Sequence, residues 1–128
     1  MNQAVRERFL LNNGWKFMHG DFEQAIQTDF QDEAWYDVGL PHSFGIPYYM
    51  ENEFYVGYGC YRRWLDMPED WREKRLALEF QGVFQVAQVF VNGHFAGAHE
   101  GGYTPFCVDV TSLMKPGRNL LTVRVNNE

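Results

Sequence analysis

Three runs in this chain alternate apolar and polar residues with a period of two, and that period leaves few folds open. In "RLALEFQ" (75–81), Leu76, Leu78 and Phe80 face one way, while Arg75, Ala77 and Glu79 face the other. A pleated strand with one buried face produces this pattern; a helix would scatter the same apolar positions around its axis. "AQVFVNG" places Ala87, Val89 and Val91 on one face and ends at Asn92-Gly93. Both residues tolerate the positive φ of a type I′ turn, so "QVFV" and "HFAG" are expected to form a hairpin. "LLTVRV" puts Leu121, Val123 and Val125 on one face, with Thr122 and Arg124 on the other. The expected core is therefore Leu76, Leu78, Phe80, Val89, Val91, Val123 and Val125.

The rest of the chain is punctuated in the same manner. "FCVDV" reads as a further short strand, and "GCYRRWLDM" as a strand closed by Pro68. "PEDWREK" reads as a connection with one turn of helix. In "TSLMKPGRN", Thr111 is positioned to cap one helical turn that Pro116-Gly117 then ends. "DEAWYDVGLPHSF" reads as a short strand leading into an extended Leu-Pro-His segment. Residues 45–59 are rich in aromatics and glycine without periodicity, which indicates a long surface loop of the kind that often carries function. Short strands about 8–12 residues apart, with turn signals between them, describe an antiparallel β-sandwich of jelly-roll type. No long helices alternate with the strands, which disfavours a parallel α/β sheet. There is no internal repeat and no interdomain linker.

Composition narrows the function classes. At 128 residues, with 45% hydrophobic and 22% charged residues, the chain fits one globular domain. Its net charge is −6 and its longest basic cluster is Arg62-Arg63, which argues against nucleic acid as a partner. No apolar run approaches the roughly 18–20 residues of a membrane helix. "MNQAVRERFL" has no apolar stretch of signal-peptide type. The two cysteines, Cys60 and Cys107, lie in strand-like runs without metal-ligand spacing. Each is expected to be a small buried hydrophobe, and nothing requires a disulfide. Arg62 and Arg63 alternate faces, so one is expected to be buried against a carboxylate and the other solvated. His42 is read as a hydrogen-bonded structural histidine.

"HEGGYTPF" (99–106) stands between two strand-like runs and admits two readings, a tight connection or the rim of a ligand site. Here a wider pattern bears on the choice. "LNNGWKF", "LPHSF", "GYGCYRR", "LEFQGV", "VFVNGHFAG", "HEGGYTPF", "VDVTSL" and "GRNLLTVRVNN" occur in one order over residues 10 to 127. Together they resemble the N-terminal sugar-binding domain of glycoside hydrolase family 2, the β-galactosidase, β-glucuronidase and β-mannosidase group. Two positions depart from many relatives: Ser43 stands where Asp is common, and Cys60 where Trp is common.

The resemblance implies a galactose-binding-like jelly roll, with residues 1–9 as an N-terminal extension and 10–128 as the domain. In that family an immunoglobulin-like domain and a (β/α)8 barrel with two catalytic glutamates follow, and hydrolysis retains configuration. The chain carries neither barrel nor catalytic motif and stops where the family's first domain usually continues. The expectation is a fragment of a larger enzyme, without catalytic residues, metal or cofactor of its own, and prone to self-association. A stand-alone carbohydrate-binding module on the same sandwich is the alternative. In relatives the loop matching "HEGGYTPF" helps close the substrate pocket, which makes His99, Glu100 and Tyr103 candidate substrate contacts. An Asn from the region of the 45–59 loop can reach the active site in the family, and Asn52 is the nearest match. Glu100 cannot by itself hydrolyse a glycoside, because the usual route needs a second carboxyl roughly 5–9 Å away.

Overall fold

The computed structural model describes residues 11, 13–20, 22–38, 58–71, 73–80, 86–100 and 106–126. Eight strands run through them: β1 (Trp15–His19), β2 (Tyr36–Val38), β3 (Tyr58–Met67), β4 (Ala77–Phe80), β5 (Val86–Val91), β6 (His94–Glu100), β7 (Phe106–Asp109) and β8 (Gly117–Asn126). Two 3₁₀ turns, Glu23–Ile26 and Glu69–Trp71, are the only helical elements among the described residues. Every pairing is antiparallel. Six strands form one sheet in the order β2-β1-β3-β8-β5-β6, and β4 and β7 form a second. The fold is an all-β sandwich.

The core lies between the sheets. Trp15, Phe17, Tyr61, Ala87, Val89, Val91, Leu121, Val123 and Val125 project from the larger sheet, and Val108 and Val110 meet them from the other side. Leu76, Leu78, Phe80 and Phe106 pack partly buried against this cluster. The alternation in the three runs thus does place its apolar residues toward one core. Each fully buried aliphatic side chain contributes roughly 1.5–3 kcal/mol relative to exposure. Burial pushes the Tyr61 phenol well above its ordinary pKa, so the ring stays neutral in the core.

The Asn-Gly hairpin forms as its sequence requires. Asn92 has φ of 53° and Gly93 of 84°, the two positive angles of a type I′ turn joining β5 to β6. Asn92 also ties the hairpin to β8. Its Oδ1 accepts from Leu120 N at 2.9 Å, while its Nδ2 donates to Asn119 Oδ1 at 2.9 Å and Leu113 O at 3.2 Å.

The opposite, outer face of the larger sheet is covered as well. Residues 22–35 cross it, and Ala25 and Trp35 bury Cys60 with flanking Met18, Phe22 and Phe30. Arg62 holds this crossing segment down and is 1% exposed. Its Nε donates to Ala25 O at 2.7 Å and its Nη2 to Gln27 O at 2.8 Å. Its Nη1 reaches Phe30 O at 3.3 Å and Asp32 Oδ2 at 2.5 Å. Arg63, on the alternate position, is part-exposed and donates to Asn13 O at 2.8 Å. The buried arginine with a carboxylate partner is therefore Arg62.

Two expectations are corrected. Cys107 is exposed, not buried, and both cysteines are free. The reason is register: β7 turns Phe106 and Val108 to the core, so Cys107, opposite Glu79, faces solvent. Thr111 does not cap a helix of its own. Its hydroxyl instead accepts from Leu76 N at 2.8 Å and donates to Asp109 Oδ1 at 2.6 Å, which fastens the start of β4 to the end of β7.

Candidate functional site

The candidate loop 99–106 is rooted on β6 at one end of the sandwich. Cross-strand pairing fixes what lies beside that root. Val86 stands opposite Glu100, Asn126 opposite Val86, and Tyr58 opposite Asn126. The end of β1 closes the row, where Gly20 N donates to Tyr58 O at 2.7 Å. The end of β1, the starts of β3 and β5 and the ends of β6 and β8 therefore meet along one rim.

His99 and Glu100 are adjacent in sequence but stand on opposite faces. His99 pairs with Ala87, a core residue, and points between the sheets. Its ring stacks on Phe106 with centroids 4.4 Å apart and planes 7° apart. Phe106 in turn stacks on Phe80 at 4.8 Å and 12°. This ladder of three rings clamps both ends of the loop, through β6 and β7, onto β4. His99 is thus held as part of the loop's foundation. Glu100 is exposed on the outer face, where its cross-strand neighbour is Val86 rather than a second carboxylate. Asn52 and Tyr103 lie outside the described residues, as do His42 and Ser43.

Two clefts flank the crossing segment 22–35. One, of about 460 Å³, is lined by Phe22, Glu23, Gln24 and Phe30. Trp35 braces both of its rings, with centroids at 5.3 Å from Phe22 and 5.5 Å from Phe30. The other, of about 450 Å³, is lined by Thr28, Asn92, His94, Ser112, Leu113 and Lys115 around the hairpin at the opposite end. No group of three or more His, Cys, Asp or Glu among the described residues could hold a metal ion. No helix of the described residues is long and apolar enough to cross a membrane.

Sequence reasoning placed Tyr58 in the 45–59 loop, whereas it opens β3, and it passed over Asn126 altogether. Tyr58 is 38% exposed, whereas Tyr61, three positions on, is 2% exposed. Asn126 sits beside it on β8. The signal was available in parity: in "YGCYRR", Tyr58, Cys60 and Arg62 share one face and Tyr61 takes the other.

The described residues thus form an antiparallel sandwich with an exposed carboxylate, Glu100, and an exposed aromatic, Tyr58, along one rim. Residues 10–127 match the family described as "Glycosyl hydrolases family 2, sugar binding domain", and the chain belongs to that family. It is 35% identical over 126 residues to a β-galactosidase of Thermoanaerobacter pseudethanolicus, an alignment covering 95% of this chain and 17% of that protein. It is 36% identical over 127 residues to a β-glucuronidase of Bacteroides fragilis, covering 97% of this chain and 17% of the relative. Among solved structures, a Bacteroides uniformis β-glucuronidase superposes with a TM-score of 0.85 at 35% identity. That superposition covers 91% of this chain and 14% of the other. The chain thus spans less than a fifth of the length of each of these three relatives.

Proposed function

We propose that the chain is the non-catalytic sugar-binding domain of a larger family 2 glycoside hydrolase that cleaves O-glycosidic bonds in β-glycosides. One observation carries this reading: the family match runs over residues 10–127, while the similar β-galactosidase and β-glucuronidase are each covered to only 17%. Residues 10–128 form the domain and 1–9 an extension before it. The two carboxyls of a retaining mechanism come from a barrel domain elsewhere in the same protein. This domain's share is orientation of substrate, through the 99–106 loop. His99 anchors that loop, Glu100 accepts hydrogen bonds from sugar hydroxyls, Tyr103 offers a stacking face, and Asn52 is a further substrate contact.

The test is hydrolysis of nitrophenyl β-galactoside, β-glucuronide and β-mannoside by the full gene product and by the 128-residue chain. The full product is expected to release nitrophenol from at least one, and the short chain from none. A full product that binds β-glycosides but never cleaves them would make this a stand-alone binding module instead. Steady release by the short chain would overturn the reading altogether.

A further inference from the structure

The rim holds more than the loop. Side chains of Tyr58, Asn126, Val86 and Glu100 succeed one another across β3, β8, β5 and β6. All four stand on the outer face, because Tyr58 shares strand parity with Cys60 and Arg62, which lie under the crossing segment. On the β1 side the row runs on into the cleft of Phe22, Glu23, Gln24 and Phe30, with the Phe22 ring lying over Gly20.

We infer that this row is a binding track for an oligosaccharide, with Tyr58 as its stacking residue and Glu100 as its hydrogen-bonding residue. The inference rests on the sugar-binding reading above and deepens it. A pyranose has one face of C–H groups and a rim of hydroxyls. The C–H face packs on the negative face of an aromatic ring, and Tyr58 is the aromatic residue of the row, 38% exposed. Sugar hydroxyls donate hydrogen bonds, and the exposed carboxylate of Glu100 supplies acceptors for them. Adjacent strands are about 4.8 Å apart, so Tyr58 to Glu100 covers roughly 14 Å, longer than one pyranose ring. The cleft at Phe22 adds a second aromatic wall, where the Trp35 ring packs against that of Phe22. Sugars of galacto and glucurono configuration both offer this chemistry.

The experiment is calorimetric titration of the full gene product with sulfur-linked trisaccharides of β-galactose and of β-glucuronic acid, which resist hydrolysis. Tyr58→Ala should weaken binding of at least one of them about tenfold, the scale of one stacking contact. Tyr58→Trp should restore it, and Glu100→Gln, which keeps the shape of the rim, should weaken it several-fold. Tyr36→Ala, an exposed tyrosine on β2 away from the rim (61% exposed), should leave affinity unchanged. Wild-type binding of a trisaccharide that neither Tyr58→Ala nor Glu100→Gln alters would overturn the track and the Glu100 contact with it, while cleavage of nitrophenyl glycosides by the full product would leave the family 2 hydrolase reading intact. Failure of the wild type to bind either trisaccharide, with nitrophenyl glycosides still cleaved, would also overturn the track.

Discussion

Arg62 ties the crossing segment to the larger sheet. One guanidinium satisfies three carbonyls and one carboxylate of a segment that contains no strand pairing until Tyr36. The planar fork of arginine fits that set, and a lysine ammonium would not. Replacing it with Met removes the guanidinium from Asp32, leaves Ala25 O with only the long contact from the Thr122 hydroxyl at 3.5 Å, and leaves Gln27 O with only Phe30 N at 3.3 Å. The expected loss is about 3–5 kcal/mol by denaturant titration, the usual cost of orphaning a buried charge. Adding Asp32→Leu should recover part of it but not all, since the carbonyls remain. A loss under about 1 kcal/mol would show that the crossing segment is held by its aromatics alone. Asp109 offers a residue-scale test of a different kind. Hydrogen bonds from the Thr111 hydroxyl and backbone, and then the charge of Arg75, hold its carboxyl below the ordinary value of 3.8. A depressed folded pKa contributes stability that is fully present above the unfolded value and fades as pH falls through the folded one. The melting-temperature gap between wild type and Asp109→Ala should therefore be full at pH 7 and narrow below about pH 4. A gap that stays constant into the acid limb would remove the carboxylate charge from the account.

At the scale of elements, the two sheets approach most closely where β6 passes β7. A Cβ built on Gly97 would lie 3.0 Å from Val108 Cγ1 and 3.3 Å from Cγ2. Val108 is buried, and its branched side chain has little rotamer freedom with which to yield. Gly97→Ala should accordingly cost about 1–3 kcal/mol, the range of an overpacked core. Val108→Ala in the same chain should relieve much of that cost, a coupling read from a double-mutant cycle. Additive losses would place the strain in the backbone instead. These elements also show what could be read before the structure. The runs around Val89, Val91, Val123 and Val125 announced their strands and inward faces, because burial on one side of a sheet imposes a period of two. The Asn92-Gly93 hairpin was equally plain, because few dipeptides tolerate two positive φ angles. The crossing segment 22–35 was not legible, since its order comes from Arg62, 30 positions beyond Asp32, and local patterning carries no trace of that contact. Cys107 was misplaced for a related reason: its four-residue strand is too short to reveal which parity faces the core. Of the candidate site, Glu100 was legible as an exposed carboxylate at the loop's root. His99 was legible only as a residue type, and its place in a stack with Phe106 and Phe80 depends on three strands meeting.

For the whole molecule, the consequence that matters most lies at the sheet edges. Among the described residues, β6 is the last strand of its sheet and pairs there only with β5. Edge strands are commonly guarded by lysine, proline or inward charge. "HFAGAHE" has neither lysine nor proline, and Phe95 is 58% exposed on it. The irregularity in pairing between Val89 and Phe90 twists the edge locally and gives some protection, but only at the hairpin end of the strand. With a net charge of −6 the protomers repel one another, so association through this edge should be weak at low salt and strengthen as salt screens that repulsion. Sedimentation velocity of the 128-residue chain should accordingly show a concentration-dependent shift toward dimer, larger at about 0.5 M than at about 0.05 M salt, where the screening length falls severalfold. Ala98→Lys puts a guarding charge on the exposed side of β6 and should abolish the shift without lowering the melting temperature by more than about 0.5 kcal/mol equivalent, as expected of a surface substitution. If association persists unchanged in Ala98→Lys, the contact lies elsewhere, and the two-stranded sheet of β4 and β7 is the next edge to block. If the wild-type chain stays monomeric at every salt concentration, the β6 edge is already protected, and the open-edge account of this domain fails.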